Sequence, residues 1–345
     1  MKHPTLEPLS LFQKPKRKSN VLILIFFSFT SLYSQELDEN SIKVMFYNVE
    51  NMFDHMNDSL TNDGEFTPEG QRHWTSYKAG KKVNAVAKVI IAAGGMQPVD
   101  LIGMAEVENR NILNKLILYS PLKNYRYGLI HKESPDRRGI DVALLYSQET
   151  YSPVVNRFIE VTNDPDFRTR DILYSKGILN QKDTVHIFVN HWPSRYGGVV
   201  ASKPLRCRAA TVLKSITDSL MLSDSNCNII IMGDFNDYPE DESITNCLGA
   251  KQNGALINLA LYSDDDGSYK YQGRWGFLDQ FIVNKSLFER KTDGLILKEY
   301  EKVIRFPFMM EKDDKFTGEK PFRTFTGYKC NGGFSDHLPV MIILK

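Results

Sequence analysis

Asp234 and Asn236 directly follow a strongly apolar segment of the sequence. Residues 229–232 are Ile-Ile-Ile-Met, and Gly233 separates them from Asp234. Such a run predicts a buried strand, and in open α/β sheets ligands collect beyond the carboxyl ends of the strands. If the turn is tight, an aspartate and an asparagine one residue apart can both reach one reacting centre. Taken alone, the motif is equally consistent with an Asx turn that serves only the backbone.

Other apolar segments also end in, or contain, groups suited to acid–base or metal chemistry. They carry Asn48 after 42–47, Glu106 after 100–105, His191 after 184–189, Asp279 within 277–283, and Asp336 and His337 before 340–344. Oxygen-rich sets of this kind suit hard cations such as Mg²⁺, Mn²⁺ or Ca²⁺ better than structural zinc. An unpaired acid inside an apolar strand is costly, so Asp279 predicts a paired site.

The intervening sequence predicts the elements that must position these groups. Helices are expected from the candidate N-cap Ser76 to Gly94, over 112–118 and over 205–222, and strands over 126–130, 140–146, 172–179, 184–189 and 324–326. Residues 54–76 are polar and irregular, which predicts a long surface loop. Helices between strands, together with hairpin-like strand pairs, favour a mixed-sheet α/β sandwich in one domain.

The first 34 residues have the pattern of a secretory signal peptide. A basic segment, 14–18, precedes an apolar segment, 21–29, and small residues precede Gln35. The apolar segment is about half of the ~20 residues that a membrane span needs, so an uncleaved anchor is the less favoured alternative. We therefore expect a signal peptide over 1–34, a short linker over 35–41, one domain over 42–345, and a secreted or periplasmic protein without a stable membrane span.

Charge and cysteine content narrow the classes of function. Cleavage after residue 34 would remove five of the 43 basic residues and one of the 42 acidic residues, which leaves a net charge of −3. Proteins that bind nucleic acid by overall charge are basic, so a phosphate substrate would be held locally. The four cysteines, Cys207, Cys227, Cys247 and Cys330, have no zinc-site spacing, and both disulfides and buried thiols remain open.

The motifs, in this order, resemble those of the endonuclease/exonuclease/phosphatase superfamily, whose members include deoxyribonuclease I and abasic-site endonucleases. The matching segments are Tyr47-Asn48-Val49-Glu50-Asn51, Ala105-Glu106-Val107, Arg138-Gly139-Ile140-Asp141-Val142-Ala143-Leu144, Asn190-His191-Trp192-Pro193, Gly233-Asp234-Phe235-Asn236, Leu278-Asp279-Gln280 and Ser335-Asp336-His337. The resemblance spans residues 42–345. It implies a four-layer α/β sandwich of two mixed β-sheets flanked by helices, as in deoxyribonuclease I.

The resemblance also implies a role for each candidate residue. The metal ligands for Mg²⁺ or Mn²⁺, with Ca²⁺ as a candidate structural ion, are Glu106, supported by Asn48 and Asp336. Among the catalytic residues, Asp234 would orient or deprotonate the attacking water, and Asn236 would hold that water and the phosphate. His191 and His337 would contact the phosphate, and Asp279 would hydrogen-bond His337. General chemistry agrees, because a metal ion and imidazolium groups offset phosphate charge and a carboxylate can activate water.

The expected function is that of a secreted, divalent-metal-dependent phosphodiester hydrolase, an endonuclease acting on DNA or RNA as a monomer. Candidates for substrate contacts are Arg138, Asp141, Ser194 and Arg195, although a solvated loop arginine is the favoured interpretation of Arg195. A phosphatase or a phospholipase C-type phosphodiesterase, acting on inositol phosphates or sphingomyelin, would use the same catalytic site. An alternative of another class is a non-catalytic binding module on this fold.

Two other hydrolase classes are excluded. Ser335, Asp336 and His337 are consecutive, so their side chains cannot converge as a catalytic triad, and the sequence has no G-x-S-x-G motif. An H-E-x-x-H zinc-protease motif is also absent from the sequence.

Overall fold

Two six-stranded sheets hold the apolar segments of the chain. The computed structural model describes residues 41–162 and 168–345; the predicted signal peptide, 1–34, and all but the last residue of the predicted linker lie outside them. The strands are β1 (Ile42–Met52), β2 (Leu101–Val107), β3 (Tyr127–His131), β4 (Asp141–Ser147), β5 (Tyr151–Ile159), β6 (Ile172–Leu179), β7 (Asp183–His191), β8 (Ile229–Asp234), β9 (Leu256–Asn258), β10 (Tyr269–Tyr271), β11 (Arg274–Gly276), β12 (Asp279–Asn284), β13 (Leu297–Val303), β14 (Met310–Lys312), β15 (Glu319–Pro321), β16 (Phe325–Thr326), β17 (Lys329–Cys330) and β18 (Val340–Leu344).

Both large sheets are mixed. The first has the strand order β13-β18-β1-β2-β4-β3, and the second has the order β5-β6-β7-β8-β12-β9. The pairs β1–β2 and β7–β8 are parallel, and the other pairs are antiparallel. The α-helices are α1 (Ser76–Gly94), α2 (Arg110–Tyr119), α3 (Val199–Ser223) and α4 (Lys285–Glu289). The predicted sandwich of two mixed sheets with helices is confirmed.

The apolar run that ends at Asp234 is buried on both faces of β8. Ile230 and Met232 belong to the core that contains both sheets, α1 and α2, whereas Ile229 and Ile231 pack in the core under α3. Side chains alternate between the faces of a strand, so only a continuous apolar run can fill both layers. Gly103 of β2 lies so close to Met232 that an added Cβ would be 2.8 Å from its sulfur.

Two helix boundaries differ from the sequence prediction. Thr75, and not Ser76, is the N-cap of α1, and its side chain accepts a hydrogen bond from the Lys78 amide. Helix α3 begins at Val199, before Pro204, although the predicted helix begins after this proline. The amide that Pro204 lacks would bond a carbonyl in the exposed first turn, where water can replace it, so the helix tolerates the proline.

Several strands, among them β5 and β13, and a packed loop were not predicted. Strand β5 is largely exposed and contains Pro153, so it lacks the alternating apolar pattern by which a strand is recognised in a sequence. Strand β13 alternates, but one inward residue is the buried Glu301, which breaks the apolar period. The segment 54–76 is not purely a surface loop, because Phe66 and Trp74 are buried in an aromatic cluster.

The cysteines are divided between the two states that the sequence left open. Cys207 of α3 and Cys247 form a disulfide, and Cys227 and Cys330 are free. The disulfide ties α3 to the π-helical turn Ser243–Leu248. Within the described ranges, no helix has the length and apolar content that a bilayer span requires.

Candidate active site

Three neighbouring strands of the second sheet place His191, Asp234 and Asp279 in one row. His191 ends β7 and pairs with Asp234 at the end of the parallel strand β8, and Asp234 pairs with Asp279 at the start of the antiparallel strand β12. Asp234 is 2% exposed and Asp279 is fully buried. The register therefore brings together residues that are far apart in the sequence, as the sequence analysis expected for strand ends.

The side chain of His337 completes a hydrogen-bonded pair with Asp279. Its Nδ1 donates to Asp279 Oδ2 at 2.7 Å, and Ser268 Oγ donates to the same oxygen at 2.6 Å. Burial alone would lower the pKa of His337, but Asp279 and Asp234 outweigh it and hold this pKa well above its ordinary value. The predicted carboxylate–histidine pair is present, and it favours a charged imidazole.

Asp234 lies at the centre of the site. Its Oδ2 accepts a hydrogen bond from Asn48 Nδ2 at 3.0 Å and lies 3.6 Å from His191 Nε2 and 3.9 Å from His337 Nε2. Its Oδ1 accepts from the Asn236 amide at 2.9 Å. Burial, opposed by His337 and reinforced by Asp279, raises the pKa of Asp234 to about 7.

His191 has a different charge state from the one expected for a phosphate-binding imidazolium. Burial, together with the nearby charges of Arg170 and Arg138, lowers the pKa of His191 well below its ordinary value. Its Nδ1 is buried and has no hydrogen-bond partner among the described residues. His191 is therefore a neutral imidazole near neutral pH, and only His337 carries the expected charge.

Asn236 lies in the turn that follows β8. Its φ is +52°, a conformation that few residues other than glycine adopt. The side chain is partly exposed, and its Nδ2 donates to the carbonyl of Trp192 at 3.0 Å. Glu106 also has a positive φ, +61°. Such backbone strain concentrates at functional sites.

The three candidate metal ligands are Asn48 within β1, Glu106 near the end of β2, and Asp336 in the loop before β18. Asn48 pairs with Ala105, next to Glu106, and Ser335 Oγ donates to the Asn48 carbonyl at 2.7 Å, which ties the Asp336 loop to β1. Glu106 is partly exposed and uses only Oε2 for an internal hydrogen bond, from the Asn51 amide at 2.9 Å. These oxygen donors fit a hard divalent cation.

Two other sets of donor atoms lie close enough together to hold one ion. Among the described residues, Asp234, Asp279 and His337 offer ligand atoms within 4.8 Å of one another, as do His131, Glu133 and Asp141. The first set contains the His337–Asp279 hydrogen bond, and a protonated imidazole cannot be a ligand. A charged His337 imidazole therefore makes this set unsuited to a cation.

Three residues that hold the segments around Asp336 were not singled out in the sequence. Arg323 donates to Glu50 Oε1 at 3.1 Å and to Asp336 Oδ2 at 2.8 Å, and so positions the candidate ligand Asp336. Lys82 of α1 is buried and donates to Thr324 Oγ1 and the Phe334 carbonyl, each at 2.5 Å. Glu50 is within the recognised segment 47–51, which was the one available signal.

The candidates for substrate contacts are not equivalent. The Arg195 guanidinium is engaged within the protein: it donates to the Asn236 carbonyl at 2.7 Å, to Asp237 at 3.0 Å and to Asp241 at 2.7 Å. Asp141 is likewise buried, and it bonds His131 and the Ser134 amide. Arg138 and Ser194 are exposed and line a cavity beside His191.

The fold and the site together define a class of protein: an α/β sandwich that holds acid, amide and imidazole groups at the ends of strands in its two mixed sheets. The chain belongs to the endonuclease/exonuclease/phosphatase family, whose model matches residues 43–345. Members of this family hydrolyse phosphoester bonds. The resemblance found in the sequence is thus confirmed.

Several solved structures share this fold at low sequence identity. Two are from Bacteroides thetaiotaomicron: an endonuclease/exonuclease/phosphatase family protein (16% identity, 88% of this chain and 94% of that chain, TM-score 0.56) and a mannosyl-6-phosphatase (16%, 88% and 99%, TM-score 0.56). Truncated TDP2 from Caenorhabditis elegans is also similar (15%, 88% and 97%, TM-score 0.52). No curated protein matches the chain. At these identities the likeness shows the fold alone.

Proposed function

We propose that the protein is a divalent-metal-dependent phosphodiester hydrolase that cuts nucleic acid as an endonuclease. The observation that carries this proposal is the ring around Asp234, whose Oδ2 lies within 4 Å of Asn48, His191 and His337 side-chain nitrogens. Asn48 donates to this carboxylate oxygen and two imidazoles lie within 4 Å of it, an arrangement suited to orient a water molecule beside a phosphate. Hydrolysis of a phosphodiester needs that arrangement, with positive groups at the phosphate oxygens.

Each residue of the site has a distinct part in this proposal. Glu106, Asn48 and Asp336 would hold a Mg²⁺ or Mn²⁺ ion, which when bound supplies positive charge at the phosphate. Asp234 orients the attacking water and accepts its proton. His337, kept charged by Asp279, donates a hydrogen bond to a phosphate oxygen.

The second candidate function changes the substrate and keeps the site. A phosphatase or phospholipase C-type enzyme would use the same groups, and one similar structure is a mannosyl-6-phosphatase. A non-catalytic binding module would require the loss of a key group, whereas every candidate catalytic and metal residue is present in the sequence.

A substrate panel on the purified protein tests these proposals. Plasmid DNA, RNA, sphingomyelin, inositol phosphates, mannose 6-phosphate and a chromogenic phosphodiester would be compared with Mg²⁺, with Mn²⁺ and with EDTA. We expect nucleic acid to be cut internally, EDTA to abolish turnover, and added metal to restore it. Faster turnover of a phosphomonoester would favour the phosphatase over the nuclease. Full turnover in EDTA would contradict the proposed metal dependence.

We also propose that the protein is exported, with the signal peptide over 1–34 and the domain over 42–345. The basic and apolar segments at the N-terminus support this, as does the Cys207–Cys247 disulfide, because disulfides persist in oxidising compartments. Mass spectrometry of protein expressed from the full gene should find a mature N-terminus near Gln35 in the exported fraction. Intact chains confined to the cytoplasm would contradict export.

A further inference from the structure

A cavity of about 430 Å³ lies beside the segment that carries His191. We call it the arginine cavity; the lining residues used below are Arg137, Arg138, Arg168, Thr169, Ser194 and Tyr196. The cavity adjoins the catalytic centre, because Arg170 in its wall donates to the carbonyls of His191 and Trp192. The charge of Arg138 is also near enough to act on the His191 imidazole.

The cavity carries a local excess of positive charge. Four arginines and one aspartate line it. Buried Arg170 is compensated by Asp136, whose Oδ2 accepts from Arg170 Nη1 at 2.9 Å. Arg138 reaches the same aspartate only through a 3.4 Å contact and is 51% exposed. Within 41–162 and 168–345, the side chains of Arg137 and Arg168 have no ion pair. No carboxylate in these two ranges pairs with either guanidinium group, which favours an anion in the cavity.

A buried hydroxyl in the same cavity also lacks a partner. Thr169 is 5% exposed, and its Oγ1 makes no hydrogen bond to any described residue. Buried polar side-chain atoms are normally hydrogen-bonded, so an unpaired one calls for an explanation. A hydroxyl beside unpaired guanidinium groups is suited to donate to an anionic oxygen.

An aromatic side chain stands at the rim of the cavity. Tyr196 is 93% exposed, although it is a large ring with an apolar face. Proteins that bind single-stranded nucleic acid combine a positive groove with exposed aromatic rings on which bases stack.

We propose that the arginine cavity binds the phosphate adjacent to the scissile one on a polynucleotide strand, and that the neighbouring base stacks on Tyr196. This inference rests on the proposed nuclease function and names the part of the substrate that lies outside the reacting centre. Arg138, Arg168 and the Thr169 hydroxyl hold the phosphate oxygens. The strand then continues from His191 along residues 193–196, which follow it directly in the chain.

Binding can be measured separately from cleavage. Anisotropy of a fluorescein-labelled single-stranded oligonucleotide, recorded in EDTA, gives the affinity at several salt concentrations. The double substitution Arg138→Gln/Arg168→Gln should weaken binding at least about tenfold. It should also reduce the slope of log K against log salt by about 0.7, since both arginines hold one phosphate and each phosphate contact to a single strand contributes ~0.7. The matched control is Arg126→Gln, an exposed arginine before β3, at the opposite end of the sheet from Asp141.

Two further substitutions separate the hydroxyl and the ring from simple charge. Thr169→Val keeps the shape and removes the hydroxyl, and it should weaken binding of both the oligonucleotide and a polyphosphate. Tyr196→Leu should weaken the oligonucleotide alone, and Tyr196→Phe should restore its affinity. Equal loss for both polyanions in Tyr196→Leu would overturn the stacking arrangement, and unchanged affinity in the arginine double variant would overturn the phosphate site.

Kinetics distinguish this inference from the proposed function. In Arg138→Gln/Arg168→Gln, kcat/KM for an oligonucleotide should fall at least tenfold more than kcat/KM for bis(p-nitrophenyl) phosphate, which has a single phosphate, and the loss should lie in KM. An equal loss on both substrates would make the cavity a structural support of the site and contradict the inference. If the wild-type protein hydrolysed neither substrate, the proposed function would fail. The anisotropy series would still show whether the arginine cavity binds a polynucleotide.

Discussion

The two histidines of the site differ in charge because their neighbours differ. His337 Nδ1 donates to Asp279, and a second carboxylate, Asp234, is 3.9 Å from its other nitrogen. His191 has arginines nearby and only Asp234 in reach of Nε2. One imidazole is thus a cation, suited to a phosphate oxygen, and the other is neutral, suited to accept or relay a proton. The same carboxylate, that of Asp234, lies within 4 Å of both imidazoles.

At the residue scale, the sharpest prediction concerns Asp234. Asp234→Asn keeps the size of the side chain and removes the negative charge that faces both histidines. We expect kcat for the phosphodiester substrate to fall by at least ~10², because the group that orients the attacking water is lost. Steady-state kinetics measures kcat and KM separately, and a thermal melt checks that the fold is intact.

The matched control is Asp264→Asn, an aspartate in an exposed segment. It should leave kcat within a factor of two of the wild type. If Asp234→Asn also stayed near the wild-type rate, Asp234 would have no part in the reaction.

Glu301 permits a pH prediction away from the site. It is 1% exposed, its Oε2 accepts from the Phe281 amide at 2.6 Å, and burial raises its pKa well above the ordinary value. The folded protein therefore keeps Glu301 protonated at a pH where the unfolded chain, with a pKa of about 4.3, has lost the proton. Stability from this group is fully present below that pH and is lost as the pH rises toward the folded pKa.

Glu301→Gln should remove this loss. Urea unfolding should find the variant close to the wild type at pH 5 and more stable than it by at least about 1 kcal/mol at pH 8. Glu299→Gln, on the same strand but with its side chain 24% exposed, is the control and should show no such difference. A variant that is less stable than the wild type at pH 8 would show that Glu301 is ionised in the folded protein.

At the scale of elements, α3 holds two loops of the site through one buried arginine. Arg206 is fully buried, and its Nε lies 2.7 Å from Asp237 Oδ2 as an ion pair outside hydrogen-bond geometry. Its Nη1 reaches the carbonyls of Pro193 and Ser194, in the segment after His191. The helix therefore fixes the His191 segment relative to the turn after β8.

Arg206→Ala should lower the free energy of unfolding by about 3 kcal/mol, because it leaves the carboxylate of Asp237 buried with one fewer cation. Arg208→Ala provides the comparison: it removes the same side chain from the same helix at an exposed position and should cost less than about 0.5 kcal/mol. Denaturant titrations of both variants measure the difference. Equal losses would mean that burial of Arg206 contributes nothing beyond helix propensity.

The elements that carry the site were predictable, and the contacts that hold it were less so. Strands β1, β2, β7 and β8 each contain an apolar run followed by a polar residue of the site, and this pattern is visible in one sequence. The pairing of Glu50 with Arg323 joins residues 273 positions apart. Nothing local in a sequence says which distant acid and base will meet. The inward face of β13 could not be recognised because a glutamate counts as a polar residue in a sequence pattern. In the folded protein Glu301 is buried and its pKa is raised, which favours the neutral carboxyl group.

At the scale of the whole molecule, residues from both sheets meet at Asp234. Asn48 comes from the first sheet and donates across to Asp234 of the second, and the loop before β18 adds Asp336 beside Asn48. A cation held by Glu106, Asn48 and Asp336 would thus bind only the folded arrangement. Any ligand that binds the folded state alone raises its stability by mass action.

Thermal unfolding with Mn²⁺ or Mg²⁺, compared with EDTA, tests the metal site without any substrate. A cation at 100 times its Kd stabilises the folded state by about 2.7 kcal/mol, which corresponds to a rise in Tm of roughly 5 °C. Glu106→Gln keeps the shape of the main ligand but removes its charge, so the rise should disappear. Glu289→Gln, at an exposed position in α4, is the control and should keep it. If the Tm of Glu106→Gln still rose by the wild-type amount, the ion would be bound elsewhere, and Asp234, Asp279 and His337 would be the next ligands to substitute.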